Sequence, residues 1–347
     1  MASKLRSLMP KLSEHESDTP VTHSVNLIEA VNLALHRAMQ DDPKVVILGE
    51  DVGVNGGVFR ATNNLRAEFG LKRVMDTPLA ETMIAGMSIG MAAQGLRPVA
   101  EIQFMGFIYP AMEQLVGHAS RMRNRTRGRL TCPMVVRAPF GGGIHAPEHH
   151  SESTEALFAH IPGLNVVIPG SPQRAYGLLL SAIRSNDPVL FLEPKRIYRY
   201  SKSDVIDNGA GLPLGKSFVI KPGKDITLIT WGAMLVETIE AAELVEASGI
   251  SCEVIDLASI SPMDHDTLIS SVRKTGRCCI IHEAARHCGV GAEISASLSE
   301  HAFSSLKAPI GRITGFDTIM PYFKNEHFYF PSVEKIADVI RETVAFG

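Results

Sequence analysis

Lys44-Val-Val-Ile-Leu-Gly-Glu-Asp51 is a short apolar run that ends at a glycine and two carboxylates. Consecutive apolar residues closed by a glycine predict a strand that is buried on both faces. Such strands occur in parallel sheets covered by helices, and ligands bind to these sheets where the strands end. The run therefore predicts an α/β fold, and it makes Glu50 and Asp51 candidate ligand-binding residues.

Strands and helices alternate on both sides of this run. Helices are predicted over 27–39, 83–93 and 172–184, and strands at 97–104, 133–137, 164–169 and 188–193. The alternation resumes further on, with strands at 225–230, 251–256, 277–282 and 310–313 and helices over 234–247, 266–274, 291–303 and 333–343. This pattern predicts mostly parallel sheets with helices on both faces.

A polar, turn-rich segment over 198–215 separates the two alternating halves. Segments of this composition connect domains, and 347 residues suffice for two hydrophobic cores. We predict a flexible N-terminal arm over 1–22, a larger domain over 23–200, a linker over 201–215 and a smaller α/β domain over 216–347.

The net charge of −3 argues against nucleic-acid and anionic-membrane partners, because both require a positive field. A ladder of arginines is interpreted as a solvated or interface loop; it comprises Arg121, Arg123, Arg125, Arg127 and Arg129. The apolar runs are too short to span a bilayer. Residues 1–23 mix basic with acidic side chains, so we expect a cytoplasmic protein, with the mitochondrial matrix as the alternative.

The cysteines are odd in number and form no C-x-x-C pair; they are Cys132, Cys252, Cys278, Cys279 and Cys288. This pattern is a poor disulfide framework and is typical of a protein from a reducing compartment. We expect all of them to be buried small hydrophobic residues.

The loop Gly141-Gly-Gly-Ile-His-Ala-Pro-Glu-His-His-Ser-Glu-Ser153 is the most unusual part of the sequence. Its glycines allow the backbone to approach a ligand closely. Three interpretations are open: a metal site, a general acid–base histidine, or a polar surface loop. A metal site would draw on His145, Glu148, His149 and His150, although no helical H-x-x-x-H pair is present.

Glu81 begins the predicted small-residue helix and allows two interpretations. It could complement the helix dipole, as acids in a first turn commonly do. It could equally be a buried acid held against a ligand. Composition does not distinguish them.

Several motifs occur in one order along the chain: 49–62, 73–81, 95–104, 141–153, 187–198, 253–256, 261–264 and 274–277. Together they resemble the beta subunit of the thiamine-diphosphate-dependent decarboxylating component of pyruvate and branched-chain 2-oxo acid dehydrogenase complexes. The resemblance extends from about Val25 to the C-terminus. It implies a transketolase-like pyrimidine-binding domain followed by a smaller transketolase C-terminal-like domain.

The resemblance also implies a site. Thiamine diphosphate would lie at an alpha–beta interface, where Glu81 would hydrogen-bond the pyrimidine ring nitrogen and promote the imino tautomer that takes a proton from the thiazolium carbon. Phe107 would stack on the pyrimidine. His150 would assist acyl transfer to a lipoyl group. The other residues of the pocket would be Glu50, Leu79 and Gln103.

One part of a thiamine enzyme is absent from the sequence. The family holds magnesium through a Gly-Asp-Gly segment followed by Asn-Asn, and this chain has no Gly-Asp-Gly. The resemblance therefore implies that an alpha subunit holds the magnesium, in an assembly of two alpha and two beta chains that serves a lipoyl acyltransferase core. No metal ligand is expected from side chains. A potassium ion could be held by the backbone carbonyls of Ala182, Ile183, Ser185 and Asp187.

The substrate is predicted from local features of the same motifs. Pro147-Glu148 before His150 with the acid Glu152 after it, and the pair Gly106-Phe107, resemble the pyruvate-type bacterial members of the family and so imply pyruvate; a branched-chain 2-oxo acid and acetoin remain alternatives. Glu152 replaces a glutamine found in many relatives, and its charge is expected to raise the pKa of His150. The alternatives of other classes are an interaction subunit without catalytic residues and a one-chain transketolase relative.

Overall fold

The computed structural model describes residues 21–346. Its strands are β1 Val21–Val25, β2 Val45–Gly49, β3 Val74–Asp76, β4 Arg97–Glu101, β5 Val135–Phe140, β6 Asn165–Val167, β7 Val189–Pro194, β8 Ser203–Asp207, β9 Phe218–Lys221, β10 Ile226–Thr230, β11 Cys252–Asp256, β12 Ser259–Ser261, β13 Cys278–Ala285 and β14 Gly311–Gly315. Its α-helices are α1 Leu27–Asp41, α2 Leu65–Phe69, α3 Glu81–Ala93, α4 Met112–Gly117, α5 Met122–Arg125, α6 Glu155–Ala159, α7 Pro172–Arg184, α8 Leu235–Glu246, α9 His265–Thr275, α10 Val290–His301, α11 Glu326–Tyr329 and α12 Val333–Ala345.

The larger sheet has seven strands in the order β12-β6-β7-β5-β4-β2-β3. All of its pairings are parallel except that of β12 with β6. The run quoted first in the sequence forms β2, which is buried throughout. Gly49 at its end lies opposite Glu101 of β4 and Asp76 of β3. The carboxyl ends of these strands therefore meet at one edge.

Helices cover both faces of this sheet. On one face α1 packs against α7 over an apolar core. Local sequence starts both helices: Asn26 and Glu29 form a capping box at α1, and Ser171 caps α7 before Pro172. The other face packs against α3 and the turns that follow it. The predicted helix over 172–184 agrees with the observed α7 at both ends.

The smaller sheet has the order β14-β13-β10-β11-β9, with β9 antiparallel to β11. One face carries α8 and α12 over its own core. The other face contributes Ile229, Trp231 and Ile255 to the same hydrophobic cluster that lies between the larger sheet and α3. The two domains therefore share a continuous apolar core, and the carboxyl edge of the first sheet lies against the second domain.

The predicted linker over 201–215 contains a strand that its polar composition did not indicate. β8 pairs antiparallel with β1, so the backbone hydrogen bonds of this segment come from the N-terminal end of the described chain. Strand β12 of the C-terminal half joins the larger sheet. The domain limits of 23–200 and 216–347 remain predictions, and residues 1–20 of the proposed arm lie outside the described residues.

One cysteine expectation was wrong. The described cysteines carry no disulfide, and four of them are buried, but Cys288 is exposed. It lies in the connection between β13 and α10 with a φ of 53°, away from the strands that bury the others. None of the helices between residues 21 and 346 is long and apolar enough to cross a membrane.

Candidate active site

The carboxyl edge of the larger sheet collects most of the candidate residues. Glu50 follows β2, Gln103 follows β4, Gly141 follows β5 and Lys195 follows β7. These strands are parallel neighbours, so their ends deliver the residues to one side of the sheet. Gln103 is half-buried there.

Glu50 and Glu81 lie near enough at this edge for their charges to interact. Glu50 is only 8% exposed, and Glu81 is the first residue of α3, half-buried. Burial raises the pKa of Glu50, and the nearby charges of Glu81 and then Asp51 raise it further. Glu50 therefore keeps its proton to a higher pH than an ordinary carboxyl group does.

Phe104 and Phe107 surround the ring of His150. The His150 ring meets Phe104 edge-on with centroids 4.5 Å apart, and it meets Phe107 in the same manner at 5.0 Å. The two phenylalanines contact each other at 5.6 Å. Phe107 also lies 5.4 Å from the His149 ring. The aromatic side chains leave His150 half-buried at the edge of the site.

The pKa of His150 is lowered, contrary to the expectation from Glu152. Burial is the main cause, and the charges of His149 and Lys195 add to it, while Glu148 opposes them. Glu152 instead lies beside Tyr109, whose pKa is raised first by burial and then by that carboxylate. The expectation was wrong because sequence proximity did not place Glu152 against the imidazole. Among residues 21–346, Nδ1 of His150 is buried without a hydrogen-bond partner.

A helical turn over Met105–Ala111 contains Phe107 and contacts both α3 and the loop that carries His150. The Thr82 hydroxyl of α3 donates to the Pro110 carbonyl at 2.7 Å, which ties the turn to the residue after Glu81. At Gly106 a Cβ atom would lie 2.0 Å from the His149 carbonyl oxygen. Only glycine lets the turn and the loop over 141–153 approach this closely. We call this loop the histidine loop.

A buried ionic network supports the strands below the site. Arg137 of β5 donates to both oxygens of Glu193 at 2.6 and 3.0 Å and to Glu101 at 2.7 Å. The Tyr198 hydroxyl donates to Glu193 at 2.6 Å. The arginine is 1% exposed and both carboxylates are buried. These contacts cross-link the ends of β4, β5 and β7.

The C-terminal domain contacts both ends of the histidine loop. Glu326 accepts from the backbone N–H groups of Gly143 and His145, and Glu283 accepts from the Ser153 hydroxyl. Lys195 is buried close to these acids, and burial lowers its pKa to about 8 against the opposing charges of Glu283 and Glu326.

Sequence reasoning missed Glu326 and the ionic network of Arg137 with Glu101 and Glu193. Charges inside apolar strands, such as Glu101 in Arg97-Pro-Val-Ala-Glu101 and Arg137 in Val135-Val-Arg137, were the available signal for the network. Such charges are rarely fully buried unless they are paired. Glu326 lies in the short polar run 324–327 and gave no comparable signal.

The remaining sequence predictions concern Leu79, a metal site, a potassium site and the arginine ladder. Leu79 precedes α3 and is 79% exposed on this chain. Among residues 21–346, no three His, Cys, Asp or Glu side chains converge on a common metal position. The Arg97 guanidinium donates to the carbonyls of Ile183 and Ser185 at 3.0 and 2.9 Å, two of the carbonyls suggested for potassium. In the arginine ladder, Arg123 pairs with Asp187 at 2.7 Å on the surface.

Comparison with known families defines the class of protein. The family model for the transketolase pyrimidine binding domain matches residues 23–201, and that for the transketolase C-terminal domain matches residues 215–336. A solved structure titled "Split gene transketolase, inactive beta4 tetramer" has the same fold, with a TM-score of 0.75 at 22% identity over 93% of this chain and 99% of that chain. The predicted fold class is confirmed.

Full-length relatives narrow the class to one family. The pyruvate dehydrogenase E1 component subunit beta of Acholeplasma laidlawii is 51% identical over 318 residues, which are 92% of this chain and 97% of the relative. The protein of the same name from Staphylococcus aureus is 47% identical over 322 residues, 93% and 99% of the two chains. The chain belongs to the family of pyruvate dehydrogenase E1 component beta subunits, and the resemblance seen in the sequence is confirmed.

The residues at the sheet edge suit the pyrimidine half of thiamine diphosphate. A carboxyl group can hydrogen-bond a ring nitrogen, and aromatic faces beside a half-buried imidazole suit a flat heteroaromatic ring. The sequence supplies no Gly-Asp-Gly segment for the diphosphate half. The fit therefore extends to one half of the cofactor.

Proposed function

We propose that this chain is the beta subunit of a pyruvate dehydrogenase. With thiamine diphosphate, the assembled enzyme would decarboxylate pyruvate oxidatively and pass the acyl group to a lipoyl group. The observation that carries the proposal is the arrangement of Glu81 near the buried Glu50, at the sheet edge where Phe107 packs against His150. The identity of 51% to a relative of that name supports the same assignment.

The residues of this chain would divide the work between binding and proton transfer. When bound, thiamine diphosphate supplies an electron sink for the pair left behind by departing carbon dioxide. Glu81 would hydrogen-bond the pyrimidine nitrogen and hold the proton at that atom, with Glu50 as a second acid behind it. Phe107 would stack on the ring, and Leu79 and Gln103 would line it.

His150 would act at the acyl-transfer step. Its lowered pKa keeps the imidazole neutral near pH 7, and its buried Nδ1 has no partner within residues 21–346. A neutral imidazole can take up a proton and return it, so His150 would exchange a proton with the reacting groups during acyl transfer to the lipoyl sulfur.

The proposal requires further components. An alpha subunit would hold magnesium and the diphosphate, since this sequence lacks that motif. We propose two copies of each chain and a lipoyl acyltransferase core as the acceptor. Potassium would bind the carbonyls of Ala182, Ile183, Ser185 and Asp187; the Arg97 guanidinium would share two of them through their second lone pairs.

A substrate assay of the co-purified alpha and beta chains tests the proposal. With thiamine diphosphate, magnesium and an artificial electron acceptor, turnover of pyruvate should exceed that of 3-methyl-2-oxobutanoate and should require both chains. Preference for the branched acid, or turnover of acetoin alone, would show that pyruvate is not the substrate. Activity from the beta chain by itself would contradict the shared site.

Glu81→Gln tests the catalytic assignment within that assay. Loss of the carboxyl proton relay should lower turnover by roughly 10²–10⁴-fold. Glu113→Gln is the matched control, because Glu113 is an exposed acid in the first turn of the neighbouring helix α4. Normal decarboxylation by the Glu81→Gln enzyme would remove this residue from the mechanism.

A further inference from the structure

Two carboxylates of the C-terminal domain accept hydrogen bonds from opposite ends of the histidine loop. Glu326, only 1% exposed, accepts from the Gly143 N–H at 2.6 Å through Oε1 and from the His145 N–H at 2.8 Å through Oε2. Glu283, 3% exposed, accepts from the Ser153 hydroxyl at 2.7 Å. His150 lies between these two anchors along the chain.

The backbone of the loop is shaped for these contacts. Gly143 has a φ of 87° and His145 a φ of 59°, so their N–H groups turn toward the same carboxylate. At Gly141 a Cβ atom would lie 1.9 Å from Oε1 of Glu283. A non-glycine side chain there would displace the acid. The glycines thus serve a contact with the second domain as well as the loop itself.

The surrounding charges leave these carboxylates free to bind the loop. Lys195 is 3% exposed, and within residues 21–346 its Nζ has no hydrogen-bond partner. The charges of Glu283 and Glu326 raise the pKa of Lys195 against the effect of burial, although neither acid bonds to it directly. Both acids are buried, and their oxygens accept from the loop. Charge-assisted hydrogen bonds of this kind are stronger than neutral ones.

We propose that Glu326 and Glu283 are positioning residues for acyl transfer: they fix the histidine loop from both ends and thereby hold His150 against Phe104 and Phe107. The C-terminal domain would then take part in the reaction through this loop. The effect on acyl transfer rests on the proposed function, whereas the anchoring of the loop does not. Neither acid is placed in contact with the reacting atoms.

Glu326→Gln in the assembled alpha–beta enzyme is the principal test. The amide oxygen can still accept one N–H, but its NH₂ group faces the other donor, so one anchor is lost. We expect hydrogen exchange of the Gly143 and His145 amides to accelerate about tenfold. Reductive acylation of a lipoyl domain should fall at least about fivefold, while turnover with the artificial acceptor changes less than about twofold.

Two further variants keep the test decisive. Ser153→Ala removes the anchor at the other end by deleting one hydroxyl, so it tests the loop even where Glu326→Gln fails to fold. It should produce the same split between acylation and decarboxylation. Glu342→Gln, at an exposed position of α12, is the control and should leave exchange and both rates unchanged.

The outcomes separate this inference from the proposed function. Unchanged exchange at Gly143 and His145 in Glu326→Gln would overturn the anchoring role. Faster exchange with both rates reduced equally, or with neither reduced, would overturn the positioning role in acyl transfer. A wild-type complex that turns over no 2-oxo acid would reject the proposed function, while the exchange measurement would still judge the anchor.

Discussion

The ring of His150 meets the ring of Phe104 edge-on, with centroids 4.5 Å apart and planes inclined at 66°. This contact places an ionisable ring against an apolar one. Burial is the leading cause of the lowered pKa of His150, because an apolar neighbour disfavours the charged imidazolium. The packing thus sets the protonation state of the residue proposed for acyl transfer.

Phe104→Ala should move the acid limb of acyl transfer to higher pH. Removal of the ring admits water, so the pKa of His150 should return toward its ordinary value of 6.5. In the wild type, the neutral imidazole should persist as the pH falls below 6.5. The measurement is the pH dependence of lipoyl acylation by the assembled enzyme. An unchanged acid limb would show that Phe104 does not control this titration.

Arg137→Met should strongly destabilise the chain. The substitution leaves Glu101 and Glu193 buried without their common cation, which typically costs about 3–5 kcal/mol of unfolding free energy. Equilibrium urea unfolding measures this loss. Arg123→Met is the control, since its pair with Asp187 lies on the surface, and it should change stability little. Equal effects of the two substitutions would contradict the role given to burial.

Gly106→Ala should impair acyl transfer in a folded protein. The new methyl group would overlap the His149 carbonyl, with 2.0 Å between the atoms, and would push the histidine loop away. Gly90→Ala in α3 is the control, because nothing lies within 4 Å of its Cβ position. The Gly90→Ala substitution should stabilise α3 by roughly 0.5–1 kcal/mol. Full acylation activity in Gly106→Ala would mean that the loop adjusts freely.

Glu155 should make stability fall as the pH rises. Burial raises the pKa of its carboxyl group to about 8, above the ordinary value of 4.5, and Trp231 donates to it at 3.2 Å. A raised pKa favours the protonated acid in the folded state. Its contribution is therefore complete below pH 4.5 and is lost as the pH rises through about 8.

Glu155→Gln should remove that part of the pH dependence. The contribution is on the order of 5 kcal/mol between the two limits. Unfolding free energies between pH 5 and 9 would measure it, with the exposed Glu300→Gln as the control. A slope that survives in Glu155→Gln would assign the titration to another group.

Sequence by itself determined the elements whose signals are local. The apolar run at 45–48 predicted β2, and the periodic apolar residues after Asn26 predicted α1. The spacing of apolar residues along the chain indicates whether one face of a helix or a whole strand is buried. Local sequence made Glu81 and His150 candidates, whereas Phe107 was identified only through the family resemblance. Their roles follow from the family resemblance and remain proposals.

Tertiary structure alone decided the features that depend on distant partners. β8 formed in a polar segment because β1 supplies its hydrogen bonds, and β12 crossed to the first sheet through β6. The pKa of His150 followed the apolar rings and charges around it instead of its neighbour Glu152. Glu326 reaches the histidine loop across 183 residues of chain. Burial, hydrogen bonding and charge act through space, so order along the chain could not reveal these contacts.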